Sequence, residues 1–231
     1  MGARFNGFTG DYAMQALKIT AHLMSGFVAN DAYSPSICGI LGYALRREQL
    51  SCEQFALDVA HYSNLLAVED LPLAIEKFNE DWWYQCSFPI YNEQAVFNRY
   101  IHRRFNSQEA ENYAPDIKKV EATKGPYKNA RLLLQQHITN KIEWHVIGNQ
   151  AEITRLLNNI THIGKRVAGG FGRVRRWDVS KNGNDHLAQF HRALPKAFAD
   201  QYGIAGDLMQ WGIVPPAKNN QRLCVMPCST T

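Results

Sequence analysis

Apolar and polar residues alternate along the segment MQALKITAHLM (14–24), with Leu17, Ile19, Ala21 and Leu23 on one side, which predicts a half-buried strand. A turn-rich stretch follows from Ser25 to Ser36, holding Gly26, Asn30, Asp31 and Pro35. Ser36 then stands where a helix cap is expected, and Ile37, Ile40, Leu41, Ala44 and Leu45 recur at helical spacing through Leu50. Ser51-Cys52-Glu53-Gln54 opens a second amphipathic run, with Phe55, Val59 and Tyr62 on one side.

The middle is less regular. Trp82-Trp83-Tyr84 and Phe88–Ile90 suggest strands, and 93–105 carries Arg99, Arg103 and Arg104 among aromatics. Arg99 and Arg103 are four apart, as on one helix face. Residues 106–118 are a polar loop, and Lys118 to Arg131 is basic, with Glu121 its one acid. Gly125-Pro126 breaks it, Lys124 and Lys128 frame that turn, and Leu132–Leu134 reads as a strand.

From Lys141 the pattern sharpens. Ile142–Ile147 is a strand stopped by Gly148-Asn149, and Ala151 to Ile160 is a helix burying Ile153, Leu156, Leu157 and Ile160. A glycine-rich basic loop comes next, followed by a strand over Val174–Val179. Strand, helix, loop and strand make half of a split βαβ unit, and the strand at 15–23 with the helix at 36–50 supplies the other half. The fold class is therefore α+β and ferredoxin-like. Trp211 to Pro227 is expected to pack as an extended closing segment.

Length and composition fit this frame. The chain has 231 residues, 45% apolar and 11% aromatic, which suits one domain (14–231) with an insertion around 64–131. Residues 1–13 read as a disordered leader without signal-peptide character, and no apolar run reaches the ~20 residues that span a bilayer, so a cytoplasmic protein is expected. The five cysteines, at 38, 52, 86, 224 and 228, contain no C-x-x-C pair. Cys224-x3-Cys228 leaves a weak metal reading beside that of ordinary reduced thiols.

Charge changes the picture through its distribution. Between Thr161 and Trp177 lie Lys165, Arg166, Arg173, Arg175 and Arg176 and no acid, while the rest of the chain holds 20 basic against 21 acidic residues. Charge concentrated in this way implies a polyanionic partner. The loop glycines, 164, 169, 170 and 172, follow a helix and precede a strand, the reverse of a dinucleotide fingerprint. Gly164-x4-Gly169 runs on into Gly170-Phe171, which fails the P-loop pattern. What remains is backbone that a ligand can approach, ringed by Lys165, Arg166 and Arg173, with Phe171 as a stacking face and Trp177 as another if it points outward. That set suits the phosphates and unstacked bases of single-stranded RNA. The alternative is a flexible turn with Phe171 tucked into the core. Arg175 and Arg176 alternate across the last strand, so at most one of them is expected to face the RNA. Arg103, Arg104, Lys124 and Lys128 are further candidate nucleic-acid contacts.

The segments His162–Arg166 and Gly170–Val174 resemble the glycine-rich loop of the RAMP superfamily (repeat-associated mysterious proteins of CRISPR systems). The stretch SPSICGILGYALRRE (34–48), KGPYK (124–128) and NQRLCVMP (220–227) are similar to one branch of it, the third subunit of the Csf series in type IV CRISPR systems. Cys38 stands where an acidic residue is expected in relatives, so that position is not assigned a catalytic role. The resemblance implies a RAMP fold with a C-terminal glycine-rich loop. It implies a subunit that binds the crRNA 5′ handle without catalysing cleavage, with no cofactor, and caps one end of a filament of backbone subunits. Partners would be that backbone, a large subunit, target DNA near the flanking motif and, indirectly, a DinG-type helicase.

The rival enzyme reading is a metal-independent crRNA-processing endoribonuclease. It needs a base near a 2′-hydroxyl and a cation for the phosphorane, and His162, beside Lys165 and Arg166, is its best candidate. His22, His61, His102 and His145 are further options, His145 being the one expected only to line a sheet face. Asp178, Asp185, Asp200 and Asp207 follow no metal-ligand pattern and read as surface charges. His186 and His191, five apart, do not share a helix face. A third class, a protein-binding adaptor, rests on the apolar stretches 40–50 and 211–216, which core burial explains equally well.

Overall fold

A computed structural model describes residues 13–29, 31–55, 68–104 and 129–227. The alternating segments form the central sheet. β1 (Gln15–Leu23) lies between β7 (Lys141–Gly148) and β8 (Val174–Ser180), antiparallel to both, with Ile19 opposite Trp144 on one side and Val179 on the other. Leu17, Ile19, Ala21, Ile142, Trp144 and Val146 all point to one fully buried face, as a period of two requires. That face is covered by α1 (Ile37–Gln49), which buries Ile37, Leu41, Ala44 and Leu45, and by α2 (Gln150–Leu157), which buries Ile153, Leu156 and Leu157.

The two helices start differently. Asn149 caps α2: its side chain accepts hydrogen bonds from the N–H groups of Ala151 (3.0 Å) and Glu152 (3.3 Å). Asn149→Ala should therefore cost about 1 kcal/mol. A Tm lowered by roughly 2–4 °C in a melting experiment is the expected result, and an unchanged Tm would show that water replaces the cap without loss. Ser36 does stand at the N-cap position of α1, but its side chain makes no capping bond.

The outer edge of β7 is hydrogen-bonded by residues 72–90. Ala74 donates to the Ile147 carbonyl (2.7 Å), Ile147 to Gln85 (3.0 Å), Ser87 to His145 (2.8 Å), and Ile90 and Glu143 exchange bonds of 2.8 and 2.9 Å. From this segment rises a short hairpin, β3 (Ile75–Phe78) and β4 (Asp81–Tyr84).

Arg99 and Arg103 lie on a strand, which corrects the helical reading. β5 (Ala95–Arg103) pairs along its whole length with β6 (Ala130–Ile138), and β2 (Phe27–Val28) adds to the other edge of β6. Residues four apart share a side in a strand as well as in a helix, and AVFNRYIHR is rich in the aromatic and β-branched types that favour strands. Lys124 and Lys128 lie outside the described residues, as do His61, Cys228 and all but the last residue of the expected leader.

The closing segment is a hairpin rather than a single extended run. β10 (Asp207–Gly212) pairs with β11 (Gln221–Met226), which continues onto β9 (Leu194–Pro195). Two short helices lie nearby, α3 (Asp185–Phe190) and α4 (Lys196–Tyr202). Trp83, Phe88, Leu194, Ile213, Val214, Cys224 and Met226 form a second core, joined to the first through Trp82, which packs on both. The apolar residues of 40–50 and 211–216 are thus largely spent on burial, apart from Tyr43, which is 47% exposed. Among the described residues no helix is long and apolar enough to cross a membrane.

Candidate nucleic-acid interface

The chain leaves α2, buries Ile160 and Ile163, and returns to β8 through the glycine-rich loop. A short ladder closes the loop's base: Ile163 donates to the Gly172 carbonyl (2.9 Å), and Val174 to Thr161 (2.8 Å). Residues 24–28 hold its flanks. Lys165 donates to Val28 (2.8 Å), Gly172 to Gly26 (2.9 Å) and Met24 to Arg173 (2.8 Å). The Ser25 hydroxyl donates to the Gly170 carbonyl (2.9 Å) and accepts from the Arg173 N–H (3.0 Å). The tip is one 3-10 turn, Val167–Gly169, entered by Arg166 at φ 58° and left by Gly170 at φ 82°.

The four glycines meet different surroundings. At Gly164 (φ 80°) a Cβ would lie 2.6 Å from the Val28 carbonyl oxygen, and at Gly172 (φ 65°) it would overlap the Ile163 carbonyl oxygen. These two let the loop approach its own protein. Gly170 opens onto free space, and a Cβ on Gly169 would meet only the Phe171 ring. The N–H groups of Lys165, Gly169, Gly170, Gly172 and Arg173 are engaged within the protein, which leaves the side chains as the loop's free donors.

Those side chains are available. Lys165, Arg166 and Arg173 are exposed, and none has a carboxylate partner among the described residues. A groove of about 590 Å³ runs between the loop and α1, lined by Tyr43, Arg47, His162, Gly164 and Lys165 among others. A second, also about 590 Å³, lies on the other flank, lined by Met24, Ser25, His162, Gly170 and Arg173. His162 lines both, with Nδ1 3.0 Å from the Thr161 hydroxyl. Phe171 is half-buried beside Gly169. Trp177 turns inward, 6.1 Å from Trp144 between ring centres, and donates to the Ile160 carbonyl (2.8 Å), so it offers no outer stacking face.

Arg175 and Arg176 do not divide between the two faces as simple alternation predicts. The register between β1 and β8 shifts at His22/Leu23, which leaves Arg175 as the extra residue of a bulge. Both arginines consequently line one depression of about 300 Å³ with His22 and Asn140. Asp178 is no isolated surface charge: its carboxylate takes His22 Nε2 (2.7 Å) and Arg176 (3.2 Å). Arg175 is exposed without a carboxylate partner among the described residues. His145 does line the sheet face, where its Nδ1 accepts from the Asn184 N–H (3.0 Å), and burial followed by nearby Lys18 pushes its pKa below the ordinary imidazole value.

Arg104 is exposed just beyond β5, and Arg131 lies 3.9 Å over the Tyr100 ring on the same ribbon. Cys224 is a core residue whose thiol burial raises to about 11. Among the described residues no group of three or more His, Cys, Asp or Glu side chains could hold a metal ion. Sequence reasoning passed over Tyr43 and Arg47. Their signal was their position on the outer side of α1, opposite Leu41 and Leu45.

A basic, anchored loop beside a mixed α/β sheet fits a CRISPR-associated protein, and comparison with known families gives that class. The family model for the CRISPR type IV associated protein Csf3 matches residues 15–229. The chain belongs to that family, a type IV CRISPR subunit, as the motifs at 34–48, 124–128 and 220–227 indicated. No curated protein matches it. Among solved structures it is similar to a CRISPR protein from Archaeoglobus fulgidus, at 12% identity and a TM-score of 0.28, covering 94% of this chain and 86% of that one.

Proposed function

We propose that this chain is the non-catalytic, crRNA-binding subunit of a type IV CRISPR ribonucleoprotein, holding the 5′ handle on its glycine-rich loop. The observation that carries the reading is the trio Lys165, Arg166 and Arg173, unpaired among the described residues on a loop pinned at both flanks and bordered by two open grooves. Arg175 extends the positive surface, and Phe171 is the half-buried ring nearest the tip. Guanidinium and ammonium groups held out on a fixed backbone suit phosphates, and the two grooves beside them offer room of about 590 Å³ each. Support for a ferredoxin-like RAMP domain comes from the order β1, α1, β7, α2, β8, from the antiparallel arrangement β7-β1-β8, and from residues 72–90 running where the remaining strand of that fold would lie. Within this reading the subunit caps the backbone filament, contacts the large subunit beside the target duplex in the cytoplasm, and meets a DinG-type helicase only through the complex.

The test uses purified protein, labelled repeat RNA and EDTA, with denaturing gels beside a salt-titrated binding assay. Handle-dependent binding to intact RNA is expected. Lys165→Ala and Arg166→Ala should each weaken binding and reduce the slope of log K against log salt by ~0.7, the value for one phosphate contact on a single strand. Cleavage at one phosphate that disappears in His162→Ala would overturn this reading in favour of the processing endoribonuclease, for which His162 between Lys165 and Arg173 is the natural base.

A further inference from the structure

The RNA interface leaves unused an apolar cavity of about 250 Å³ packed against α1. Tyr33, Phe88 and Trp211 line it as one cluster of rings, with centres 4.6 Å apart for Tyr33–Phe88, 5.4 Å for Tyr33–Trp211 and 5.8 Å for Phe88–Trp211. Gly42 of α1 lines it too. A Cβ there would meet Pro215 and Val68 at an ordinary 3.7 Å, so the missing side chain helps to leave the space open. Tyr43 and Ala217, both exposed, place the mouth of the cavity at the surface.

The cavity carries charge of one sign. The described residues that line it include Arg46 and Arg192 and no aspartate or glutamate. Arg192 is only 5% exposed and has no carboxylate partner among the described residues. All its acceptors are neutral. Nε donates to the Ala193 carbonyl (3.2 Å), one terminal nitrogen to the Tyr84 carbonyl and the Cys86 sulfur (3.8 Å), and the other to the Ile213 carbonyl (3.1 Å). Four of the five guanidinium N–H groups are thereby used, and the fifth has no acceptor among the described residues. A buried cation is costly to hold until an anion joins it. The start of α1 adds to the same field, since Ser36 and Gly39 line the cavity and the first turn carries neither an acid nor a side-chain cap.

We propose that this cavity binds a small aromatic monocarboxylate, with the ring among Tyr33, Phe88 and Trp211 and the carboxylate on the Arg192 guanidinium. The size fits: an apolar cavity of about 150 Å³ takes benzene, so 250 Å³ leaves room for a ring and a short acidic arm. A cluster of rings favours a flat guest that can stack or meet them edge-on. The planar guanidinium matches a planar carboxylate. One buried cation answers one negative charge, which favours a monocarboxylate over a phosphate monoester.

The experiment titrates the full chain, without RNA, with phenylacetate, and with 2-phenylethanol and 2-phenylethylamine as its neutral and cationic counterparts. Phenylacetate is expected to bind at a single site with a Kd of ~1 mM or tighter. The alcohol should bind at least ~10-fold more weakly and the amine not at all. The indole N–H resonance of Trp211, identified by its absence from Trp211→Phe, should move as the site fills. Gly42→Leu puts a side chain into the cavity and suits the helix better than glycine, so binding should vanish with Tm at or above that of the parent. The proposal fails if phenylacetate shows no saturation up to ~10 mM, or if the alcohol binds as tightly. It fails too if the Trp211 resonance stays still while another tryptophan's moves, or if Gly42→Leu folds and still binds. Binding of an acetylated, amidated glutamyl-phenylalanine peptide with none of phenylacetate would give the cavity to a partner protein's side chains and overturn the proposal as well. If Gly42→Leu does not fold, the Trp211 resonance of the parent chain still decides. No RNA enters the titration, so its outcome is independent of the crRNA reading.

Discussion

Gly172→Val should weaken handle binding by more than a hundredfold, on the order of 150-fold, whereas Gly170→Ala should weaken it far less. The two glycines are neighbours in the loop with similar backbones, φ 65° and 82°. An L side chain in that region costs about 1–2 kcal/mol at either position. At Gly170 nothing further is lost, because a Cβ meets no atom. At Gly172 the Cβ collides with the Ile163 carbonyl, and the bond from Ile163 N–H to Gly172, which closes the loop, must open. Losing that bond adds about 1 kcal/mol and the collision adds more. A total near 3 kcal/mol corresponds to more than a hundredfold in affinity, on the order of 150-fold, against roughly 5–30-fold for Gly170→Ala. Binding assays on the two variants decide it, with amide exchange at Ile163 as a structural readout. Equal losses would mean that both glycines serve ligand approach.

Arg192→Leu should produce the largest loss of stability of any single change outside the apolar cores. Its guanidinium reaches the carbonyls of Tyr84, Ala193 and Ile213, and so joins the end of β4 to the start of β9 and to the segment after β10. Leucine fills much of the space but leaves buried carbonyls without donors, at ~1–3 kcal/mol for each group that water cannot reach. A net loss of about 3–5 kcal/mol lowers Tm by on the order of 10 °C in a chain of this size. Arg192→Lys, which carries fewer and less spread donors, should fall between. A melting curve for Arg192→Leu within ~2 °C of the parent would show that the carbonyls find water or one another.

How far the sequence disclosed this protein depended on whether a feature was local. β1, β7, α2 and β8 were legible because Leu17-Ile19-Ala21, Ile142-Trp144-Val146 and Ile153-Leu156-Leu157 carry clean periods of two or of three to four. The glycine-rich loop was legible from composition, and the family from its motifs. Arg99 and Arg103 were misassigned because a four-residue spacing satisfies both helix and strand, and the deciding partner, β6, lies about 30 residues on. The β10–β11 hairpin was missed because Asp207–Gln210 is exposed throughout and shows no alternation. The roles of Gly164 and Gly172 depend on Val28 and Ile163, which composition does not pair with them. Nothing local marks Arg192 as buried, or Cys38 and Cys86 as lining one cavity. The bulge that brings Arg175 and Arg176 to one side is set by register, which periodicity cannot report.

The central position of β1 has a consequence for synthesis. Both of its sheet partners, 141–148 and 174–180, are made long after it. At ~5–20 residues per second, roughly 10–30 s separate the emergence of β1 from that of β8. During that interval Leu17, Ile19 and Ala21 have no sheet to enter, and the strand's edges are open to any passing chain. Docking of the glycine-rich loop onto residues 24–28 comes as late, since it needs 163–173. The basic loop surface is therefore among the last parts of the nascent chain to take shape, and an N-terminal fragment that stops short of 180 cannot carry it.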